Sequence, residues 1–562
     1  MRLPAALVPL RHPLFRTLWI ANVMVSMGVW MQNTGAGWLM TSLAPDAFTV
    51  SLVQAATIMP VFLLALPAGA LADTVDKRLF IIATQSWMLL AASVLALLTF
   101  WGMTNAGSLL ALTFAIGAGA AMNNPAWGTV MAEAVPRQDL VQAIALNGVG
   151  FNLARAIGPA LAGVLLLTGG PALTFALNAL SYLAVIAVLV SWRRRKRDSA
   201  LPRENLLSAM KVGMRYVRHT PTVRAAMLRS MAFFFAAAAP WAMLPLVVRQ
   251  QLGLGAGTYG VLLGLMGLGG VTCGMVLPQV RARLSRGNTV FAAAISACLG
   301  MAILGLARHW APAALGMMLF GIGWVAASAV TQGAAQLAAP AWVRSRALAI
   351  FQLAFNLALA AGTFFWGWVG TQFSLTHALL AAAGVGLVLA VLSRTFDIDM
   401  EPAALAAGQN PTPLLPEAVD PDLMALMRQT RGRVLEYQAY CVGADGKNAF
   451  LQAMAEVREV RGRSGAIEWQ LYEDVAHAEG WLEIWAMETW TDHLREAGRM
   501  DEQDRASLAR ALAFHQGEPT PPRRYIAVAP HRLGLRLSGG PAPRATSVGL
   551  ARPRERTAPP AR

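Results

Sequence analysis

The stretch Phe151-Asn152-Leu153-Ala154 recurs 204 residues later in the chain as Phe355-Asn356-Leu357-Ala358. When the two regions are superposed at this offset without gaps, several small residues and prolines also coincide. The matching pairs include Gly117 with Gly321, Gly119 with Gly323, Pro136 with Pro340, Gly158 with Gly362 and Gly163 with Gly367. Such an internal match predicts that the chain contains two halves of similar structure.

The amino-acid composition indicates that both halves are solvated by lipid. Of the 562 residues, 56% are hydrophobic and only 14% are charged, whereas a soluble domain usually has about 25% charged residues. No charged residue lies between Arg78 and Glu133. Because one bilayer crossing requires about 20 apolar residues, a stretch of this length holds two membrane-spanning helices.

Clusters of Gly, Pro, Asn and Ser divide the apolar stretches into twelve predicted spans. These spans are 17–39, 50–71, 79–101, 108–130, 141–167, 172–192, 227–248, 256–279, 289–307, 311–332, 347–370 and 376–394. Two parallel six-helix halves, here 1–192 and 227–396, are an arrangement found in secondary transporters. The sequence therefore predicts an all-α membrane domain with two six-helix pseudo-repeats.

Lys and Arg residues lie almost entirely in the loops on one side of the predicted spans. That side carries Arg2, Arg11, Arg16, Lys77, Arg78, Arg137, the run 193–197, Arg281, Arg283, Arg286, Arg344, Arg346 and Arg394, and the other side carries Arg249 and Arg308. Because positively charged loops remain in the cytoplasm, we expect both termini to be cytoplasmic and the chain to lie in the inner (plasma) membrane. These loops also account for the formal net charge of +16, so no nucleic-acid partner is expected.

The segment 193–226 is the longest link between predicted spans, and it separates the two halves. It is basic, and its apolar residues recur at helical spacing over 206–217. This pattern predicts an amphipathic helix at the cytoplasmic face of the membrane.

The loop after the second predicted span reads Gly69-Ala70-Leu71-Ala72-Asp73-Thr74-Val75-Asp76-Lys77-Arg78. It resembles the signature of the major facilitator superfamily, a Gly-x-Leu-Ala-Asp stretch followed by basic residues. The matching residues are Gly69, Leu71, Asp73, Lys77 and Arg78, while Thr74 and Asp76 depart from the pattern. The resemblance implies a twelve-helix transporter in which these charged residues make a contact that breaks as the halves move. An ordinary charged turn is the alternative interpretation.

The corresponding loop of the second half, residues 281–286, keeps the positive charge and lacks an acidic residue. Any latch formed by these loops is therefore expected to be stronger in the first half.

The fifth predicted span contains Gly158-Pro159-Ala160-Leu161-Ala162-Gly163. This stretch is similar to the Gly-Pro-rich element on helix 5 of exporters in the same superfamily, and it predicts a bend at Gly158 and Pro159. A packing kink without an export-specific role is the alternative. Together with the turn Pro136-Arg137 and the run 152–159, it gives residues 1–395 a resemblance to the branch that includes the enterobactin exporter and transmembrane secretion effectors. That resemblance implies export of a siderophore, an antibiotic or another amphipathic compound.

Ionisable side chains inside a membrane are candidates for function because they are costly there. Arg155 in the fifth span is the clear case, and an anionic substrate such as a catecholate would suit it; a structural tether to backbone carbonyls or to Asn152 is the alternative. The other predicted substrate-binding residues carry neutral amides, namely Gln32, Asn33, Asn123 and Asn124. No Asp or Glu lies in the middle of a predicted span, so the coupling ion stays open.

The composition becomes that of a soluble protein after residue 396. A Pro- and Ala-rich linker (397–430) precedes strand and helix patterns over 431–530, and a basic tail (531–562) is predicted to be disordered. The order of the patterns resembles a ferredoxin-like α+β domain of the antibiotic-biosynthesis-monooxygenase type, which implies self-association. His493 and His515 are the polar candidates for an enzyme, but neither has a recognisable partner motif. We expect a stabilising, dimerising or regulatory module.

The leading hypothesis is a secondary-active exporter that works by alternating access, with no covalent chemistry, cofactor or metal. An importer on the same scaffold is one alternative, and a membrane-tethered enzyme or sensor acting through the C-terminal domain is another. The chain has no Gly-x-x-x-x-Gly-Lys-Ser/Thr loop, which argues against an ATP-driven pump. Its three cysteines show no metal-binding or disulfide spacing.

Overall fold

A computed structural model describes residues 5–136, 139–191, 206–340, 343–399, 433–500, 502–518 and 522–526. The chain forms two compact units. The first contains the long helices, and the second contains a four-stranded sheet.

Twelve helices within the described ranges are long and apolar enough to cross a membrane. Those of the first half are α1 (Pro13–Leu43), α2 (Ala47–Thr74), α3 (Lys77–Phe100), α4 (Ala106–Glu133), α5 (Leu140–Thr168) and α6 (Gly170–Ser191). Those of the second half are α8 (Pro221–Leu246), α9 (Ala256–Arg283), α10 (Arg286–Leu306), α11 (Trp310–Ala338), α12 (Arg344–Gln372) and α13 (Leu375–Leu392). The shorter helix α7 (Leu206–His219) occupies the predicted amphipathic segment. The predicted number of spans is therefore confirmed as candidate membrane helices.

Polar caps set where several of these helices begin. The carboxylate of Asp46 accepts a hydrogen bond from the backbone N–H of Thr49 (2.8 Å) at the start of α2. Asn105 and Ser108 form a reciprocal capping box at the start of α4. Because such caps satisfy N–H groups that the helix itself leaves unpaired, the helices extend beyond the apolar runs from which the spans were predicted.

Contacts between the two halves follow the helix pairs α5–α9 and α2–α12. On α9, a Cβ atom added to Gly260 would lie 2.6 Å from the Cα atom of Gly163 on α5, and one added to Gly267 would lie 2.8 Å from the Cα atom of Ala156. Small residues are required here because the two backbones approach so closely.

The same two helices have glycines in open space nearer one end of the bundle. Apart from their own helix backbone, no described atom lies within 4 Å of the Cβ position at Gly148 on α5 or at Gly274 on α9. We call this end, where α3 begins at Lys77 and the end of α9 carries Arg281, the basic face, and the other end the opposite face. The close approaches of α5 and α9 therefore lie away from the basic face.

The sheet of the second unit has the strand order β2-β3-β1-β4, and all its paired strands are antiparallel. The strands are β1 (Val434–Cys441), β2 (Glu468–Glu473), β3 (Gly480–Met487) and β4 (Arg523–Ile526). The helices of the C-terminal region are α14 (Lys447–Ser464), α15 (Trp490–Arg499) and α16 (Glu502–Leu512). Four strands and three helices therefore form within 431–530, where strand and helix patterns were predicted.

One face of this sheet carries buried polar side chains. On β1, Val434, Glu436, Gln438 and Tyr440 are buried and the residues between them are more exposed. On β3, Glu483 is fully buried, and it accepts hydrogen bonds from the Tyr440 hydroxyl (2.8 Å) and the Trp469 indole N–H (3.1 Å). The alternation places acidic groups in the interior of the domain, where each needs a donor.

Candidate functional site

Three tryptophan side chains form a cluster that joins the two halves. Trp30 on α1 lies 5.9 Å from Trp241 on α8, and Trp241 lies 5.4 Å from Trp324 on α11, measured between ring centroids. Aromatic pairs at these separations are mutually stabilising. The cluster therefore brings aromatic groups from the first and second halves into contact.

The guanidinium of Arg155 lies against this cluster. Its Cζ atom is 5.4 Å from the centroid of the Trp324 ring, so a cation from the first half contacts a ring from the second. The position of Arg155 follows from close packing of α5 on α1, since a Cβ atom added to Gly158 would lie 2.6 Å from the Cβ atom of Trp30. The buried Pro159 follows directly within α5.

Arg155 makes no hydrogen bond or ion pair with the described part of the chain, Asn152 included. The amide of Asn152 instead donates to the carbonyl of Gly148 (2.9 Å). A cation–π contact contributes about 0.5–2 kcal/mol, whereas an arginine at the centre of a membrane helix costs about 2.5–3.5 kcal/mol on insertion scales. The ring contact leaves the N–H donors of Arg155 without acceptors, so an anion could add both charge neutralisation and hydrogen bonds.

The four predicted amide residues lie in different surroundings. Gln32 is buried and accepts a hydrogen bond from Asn178 on α6, inside the first half. Asn123 is buried and accepts a hydrogen bond from Thr84 (3.2 Å). Asn124 is exposed.

Asn33 shares a helix face with one member of the tryptophan cluster. It is half-buried and follows Trp30 by three residues on α1, a spacing that puts both side chains on one helix face. Of the predicted residues, Arg155 contacts the tryptophan cluster, whereas Gln32 and Asn123 pair with other side chains of the first half.

The predicted gating residues of the α2–α3 loop make contacts within the first half. Arg78 donates from Nε to the carbonyl of Leu189 (2.6 Å) and from Nη2 to that of Val190 (2.8 Å), at the end of α6. Lys77 Nζ lies 4.0 Å from a carboxylate oxygen of Glu133. Gly69 and Asp73 belong to α2, but their surroundings lie outside what the structure describes.

Asp76, which departs from the family signature, has a defined position. Its carboxylate accepts hydrogen bonds from the backbone N–H groups of Arg78 (2.9 Å) and Leu79 (3.4 Å) and thereby caps α3. Sequence reasoning did not assign Asp76 a role, although Asp directly before a helical run is a known start signal.

The halves are connected at the opposite face by a group of polar and aromatic contacts that we call the opposite-face gate. Arg249 donates to the hydroxyls of Thr41 (2.9 Å) and Ser42, and its Cζ atom lies 5.6 Å from the centroid of the Trp38 ring. The ring of Trp38 in turn stacks on Tyr259 of α9 with centroids 5.9 Å apart.

Two further hydrogen bonds complete the gate. The side chain of Gln250 donates to the carbonyl of Pro45 (2.7 Å), and the backbone N–H of Phe48 donates to the hydroxyl of Thr371 (2.8 Å). Sequence reasoning treated Arg249 only as a loop charge, because its partners are more than 200 residues away in the chain. These contacts join the two halves at the opposite face.

A separate charged cluster lies within the sheet-containing unit. Glu436 on β1 contacts Nδ1 of His493 on α15 (2.6 Å) and accepts a hydrogen bond from Nε of Arg524 on β4 (3.1 Å). A carboxylate oxygen of Glu496 lies 3.9 Å from His493 Nδ1. Burial by itself would lower the pKa of His493, but Glu436 and Glu496 raise it above its ordinary value of 6.5.

This cluster offers a metal-ligand set, since one donor atom from each of Glu436, His493 and Glu496 lies within 4.8 Å of the others. The adjacent guanidinium of Arg524 disfavours a divalent cation at that position. A protonated His493 together with Arg524 balances the two carboxylates, so the cluster is satisfied by its own charges. His515 has a different role, because its Nδ1 accepts a hydrogen bond from the backbone N–H of Cys441 (2.9 Å).

Comparison with known proteins gives a family and a fold. A family model described as transmembrane secretion effector matches residues 4–531. The staphyloferrin A transporter of Staphylococcus aureus (strain NCTC 8325 / PS 47) is 23% identical over 291 residues, which cover 51% of this chain and 72% of that protein.

Solved structures of low sequence identity share the fold. A bacterial homologue of the human lysosomal transporter Spinster, in an inward-facing and unoccupied conformation, superposes with a TM-score of 0.57 at 15% identity, covering 69% of this chain and 99% of that one. An auto-inhibited peptide transporter of the POT family superposes with a TM-score of 0.56 at 14% identity, covering 68% of this chain and 96% of that one.

Proposed function

The chain belongs to the transmembrane secretion effector family of the major facilitator superfamily, and from this premise we propose that it exports an anionic, amphipathic small molecule of the siderophore class by alternating access. The relative that transports staphyloferrin A supports a siderophore as cargo. The expected export rests on the branch resemblance, with import on the same scaffold as its alternative.

The observation that carries the proposed substrate class is the state of Arg155. Its guanidinium contacts an aromatic ring from the other half and has no carboxylate or carbonyl partner among the described residues. An anion bound there would gain charge-assisted hydrogen bonds, each worth about 1.5–3 kcal/mol. Apolar parts of the same molecule would pack against Trp30, Trp241 and Trp324, which suits an amphipathic ligand.

The arrangement of contacts between the halves supports alternating access. The opposite-face gate joins the two halves, while Gly148 and Gly274, nearer the basic face, lie in open space. If the basic face is cytoplasmic, as the positive loops predict, this is the form that receives substrate from the cell interior.

A repeated pattern of helix neighbours supports the proposed two-repeat architecture. In the first half α1 packs on α5, α2 on α4, and α3 on α6; in the second half α8 packs on α12, α9 on α11, and α10 on α13. Shifting each first-half helix by seven in the numbering reproduces the second-half pairs. Alternating access then corresponds to the movement of one half against the other.

The C-terminal region is proposed to be an accessory ferredoxin-like module. Its element order and its strand order β2-β3-β1-β4 support that fold. Residues 400–430 of the proposed linker lie outside the described residues, as do most of the C-terminal residues after 518, including the tail 531–562. Self-association through this module stays a prediction, as does its role as an enzyme or sensor.

Substrate binding to the purified protein tests the central site. The probes are a polycarboxylate and a catecholate siderophore, each compared with a neutral ester or ether of the same skeleton, by titration calorimetry. Arg155→Gln is expected to weaken binding of the anions at least about tenfold, and Arg155→Lys to retain part of the affinity. Arg308→Gln, which changes an exposed loop arginine, is the matched control and should bind like the parent.

Binding of the neutral compounds as tightly as the anions would contradict the proposal, and so would unchanged affinity in Arg155→Gln. Direction is tested separately in membrane vesicles. Everted vesicles should accumulate the bound siderophore and right-side-out vesicles should not; the reverse result would favour the importer.

A further inference from the structure

The segment that follows the last span packs onto the second half. After a short 3-10 helix, Ser393–Thr395, the chain continues along the bundle to Asp399. Ile398 is completely buried in a hydrophobic cluster with residues of α7, α8, α10, α11 and α12. Burial of a large aliphatic side chain among five helices fixes the backbone on either side of it.

Asp399 caps the first turn of α10, more than 100 residues earlier in the chain. Its two carboxylate oxygens accept hydrogen bonds from the backbone N–H groups of Arg286 (2.7 Å) and Gly287 (3.2 Å). These N–H groups have no partner within the helix and carry its positive end charge.

The surroundings of Asp399 keep it ionised. Burial by itself would raise the pKa of the Asp399 carboxyl, but hydrogen bonds from Ser285, Arg286 and Gly287 and the charge of Arg281 lower it below its ordinary value. A full negative charge therefore faces the N-terminus of α10 at neutral pH.

The buried guanidinium of Arg229 on α8 forms the other side of this contact. It donates from Nε to the carbonyl of Ser393 (3.0 Å) and from Nη2 to that of Arg394 (3.2 Å), directly after α13. A Cβ atom at Gly287 would lie 3.0 Å from Arg229 Nη1 and 3.3 Å from a carboxylate oxygen of Asp399. The guanidinium of Arg229 and the carboxylate of Asp399 therefore both lie against Gly287, where any larger residue would crowd them.

The first half contains a matching contact. There, Arg78 binds the carbonyls of Leu189 and Val190, which precede Ser393 and Arg394 by 204 residues, the offset of the sequence repeat. Asp76 caps α3 from within the α2–α3 loop. The second half has Ser285 at the equivalent cap position of α10, and Asp399 reaches the same helix end from outside the loop.

We propose that Asp399, anchored by Ile398, is the acidic clasp of the second half. It supplies, from the C-terminal segment, the negative charge that the 281–286 loop lacks. Together with Arg229 it holds the basic-face ends of α8, α10 and α13 against one another. All of these elements belong to one half. The clasp is therefore a positioning contact that stays formed while the halves move. Only the transport measurement in its test rests on the proposed function.

Three full-length variants test the clasp: Asp399→Asn, Asp46→Asn and the double variant Asp399→Asn with Ser285→Asp. Asp46→Asn is the matched control, because it removes a carboxylate that caps a helix of the other half, α2, where it accepts a hydrogen bond from the backbone N–H of Thr49 (2.8 Å). The double variant restores a carboxylate at the start of α10 from within the loop, as Asp76 does for α3.

The local readout is thiol labelling of a cysteine placed at buried Thr289, in the first turn of α10, in a chain whose three native cysteines are replaced by serine. Melting temperature and transport are measured in parallel. Asp399→Asn is expected to accelerate labelling about tenfold, because the first turn of α10 loses its charged cap. The same variant is expected to slow transport. Asp46→Asn should change labelling less than about twofold, and the double variant should return it toward the parent rate.

Labelling of Asp399→Asn at the parent rate would overturn the clasp, as would a double variant that labels as fast as Asp399→Asn alone. If the variants show the expected labelling pattern but the parent chain transports no anionic probe, the proposed function is contradicted and the clasp is still supported.

Discussion

At the scale of single residues, His493 illustrates how a buried charge cluster responds to pH. The imidazole lies between Glu436 and Glu496, and both carboxylates favour its protonated form. Because the folded-state pKa of His493 is raised above 6.5, its contribution to stability is fully present below the unfolded-state pKa. That contribution is lost as the pH rises through the folded-state pKa.

We predict that His493 titrates above pH 6.5 in the intact protein. Histidine-selective carbon-13 labelling in detergent provides the measurement, since the chain has only eight histidines, and His493→Gln assigns the signal. In Glu436→Gln the titration should move to lower pH. A midpoint below 6.5 in the parent chain would show that burial outweighs the two carboxylates.

A site residue could be predicted from the sequence when the free-energy cost that marks it arises within its own helix. Arg155 was identifiable because a charge within an apolar run is costly wherever the helix packs. Its partner Trp324 was not, because the two are brought together only by the packing of separate halves. Gln32 shows the converse: its amide could have faced a substrate, but Asn178 on a neighbouring helix satisfies it.

At the scale of elements, α9 contains two glycines in opposite surroundings. Gly260 lies against Gly163 of α5, and the Cβ position at Gly274 has no described atom within 4 Å. Alanine in place of glycine favours a helix by about 1 kcal/mol. Overpacking at a close contact costs about 1–3 kcal/mol, so the two sites should respond with opposite signs.

We therefore predict that Gly260→Ala lowers the melting temperature of the purified protein by several degrees, and that Gly274→Ala leaves it unchanged or raises it. Differential scanning fluorimetry on both variants gives the comparison. Equal behaviour of the two variants would mean that α5 and α9 do not approach closely at Gly260.

The helices could be counted from composition because lipid demands long apolar runs. Their ends could not, because caps such as Asp46 and Asn105 lie outside those runs. The acidic partner of the second-half loop was missed for a related reason. Residues 281–286 contain no acidic residue, and the carboxylate comes from Asp399, beyond the last span.

At the scale of the whole molecule, the boundary between the membrane domain and the C-terminal region determines how the latter can be tested. Composition alone places this boundary at residue 396. Ile398 and Asp399 are nevertheless part of the second half, one through burial and the other through the cap on α10. Loss of the buried isoleucine and of the cap would together cost about 2–5 kcal/mol.

We predict that a chain ending at Pro402 keeps the parent transport rate within about twofold, whereas a chain ending at Phe396 loses most of its transport and melts at a lower temperature. The two chains differ by only six residues, and both lack the sheet-containing unit. The measurement is siderophore transport in vesicles with equal amounts of each chain. Loss of transport in both chains, with the longer one melting normally, would instead make the C-terminal region a required part of the transporter and favour the enzyme or sensor hypothesis.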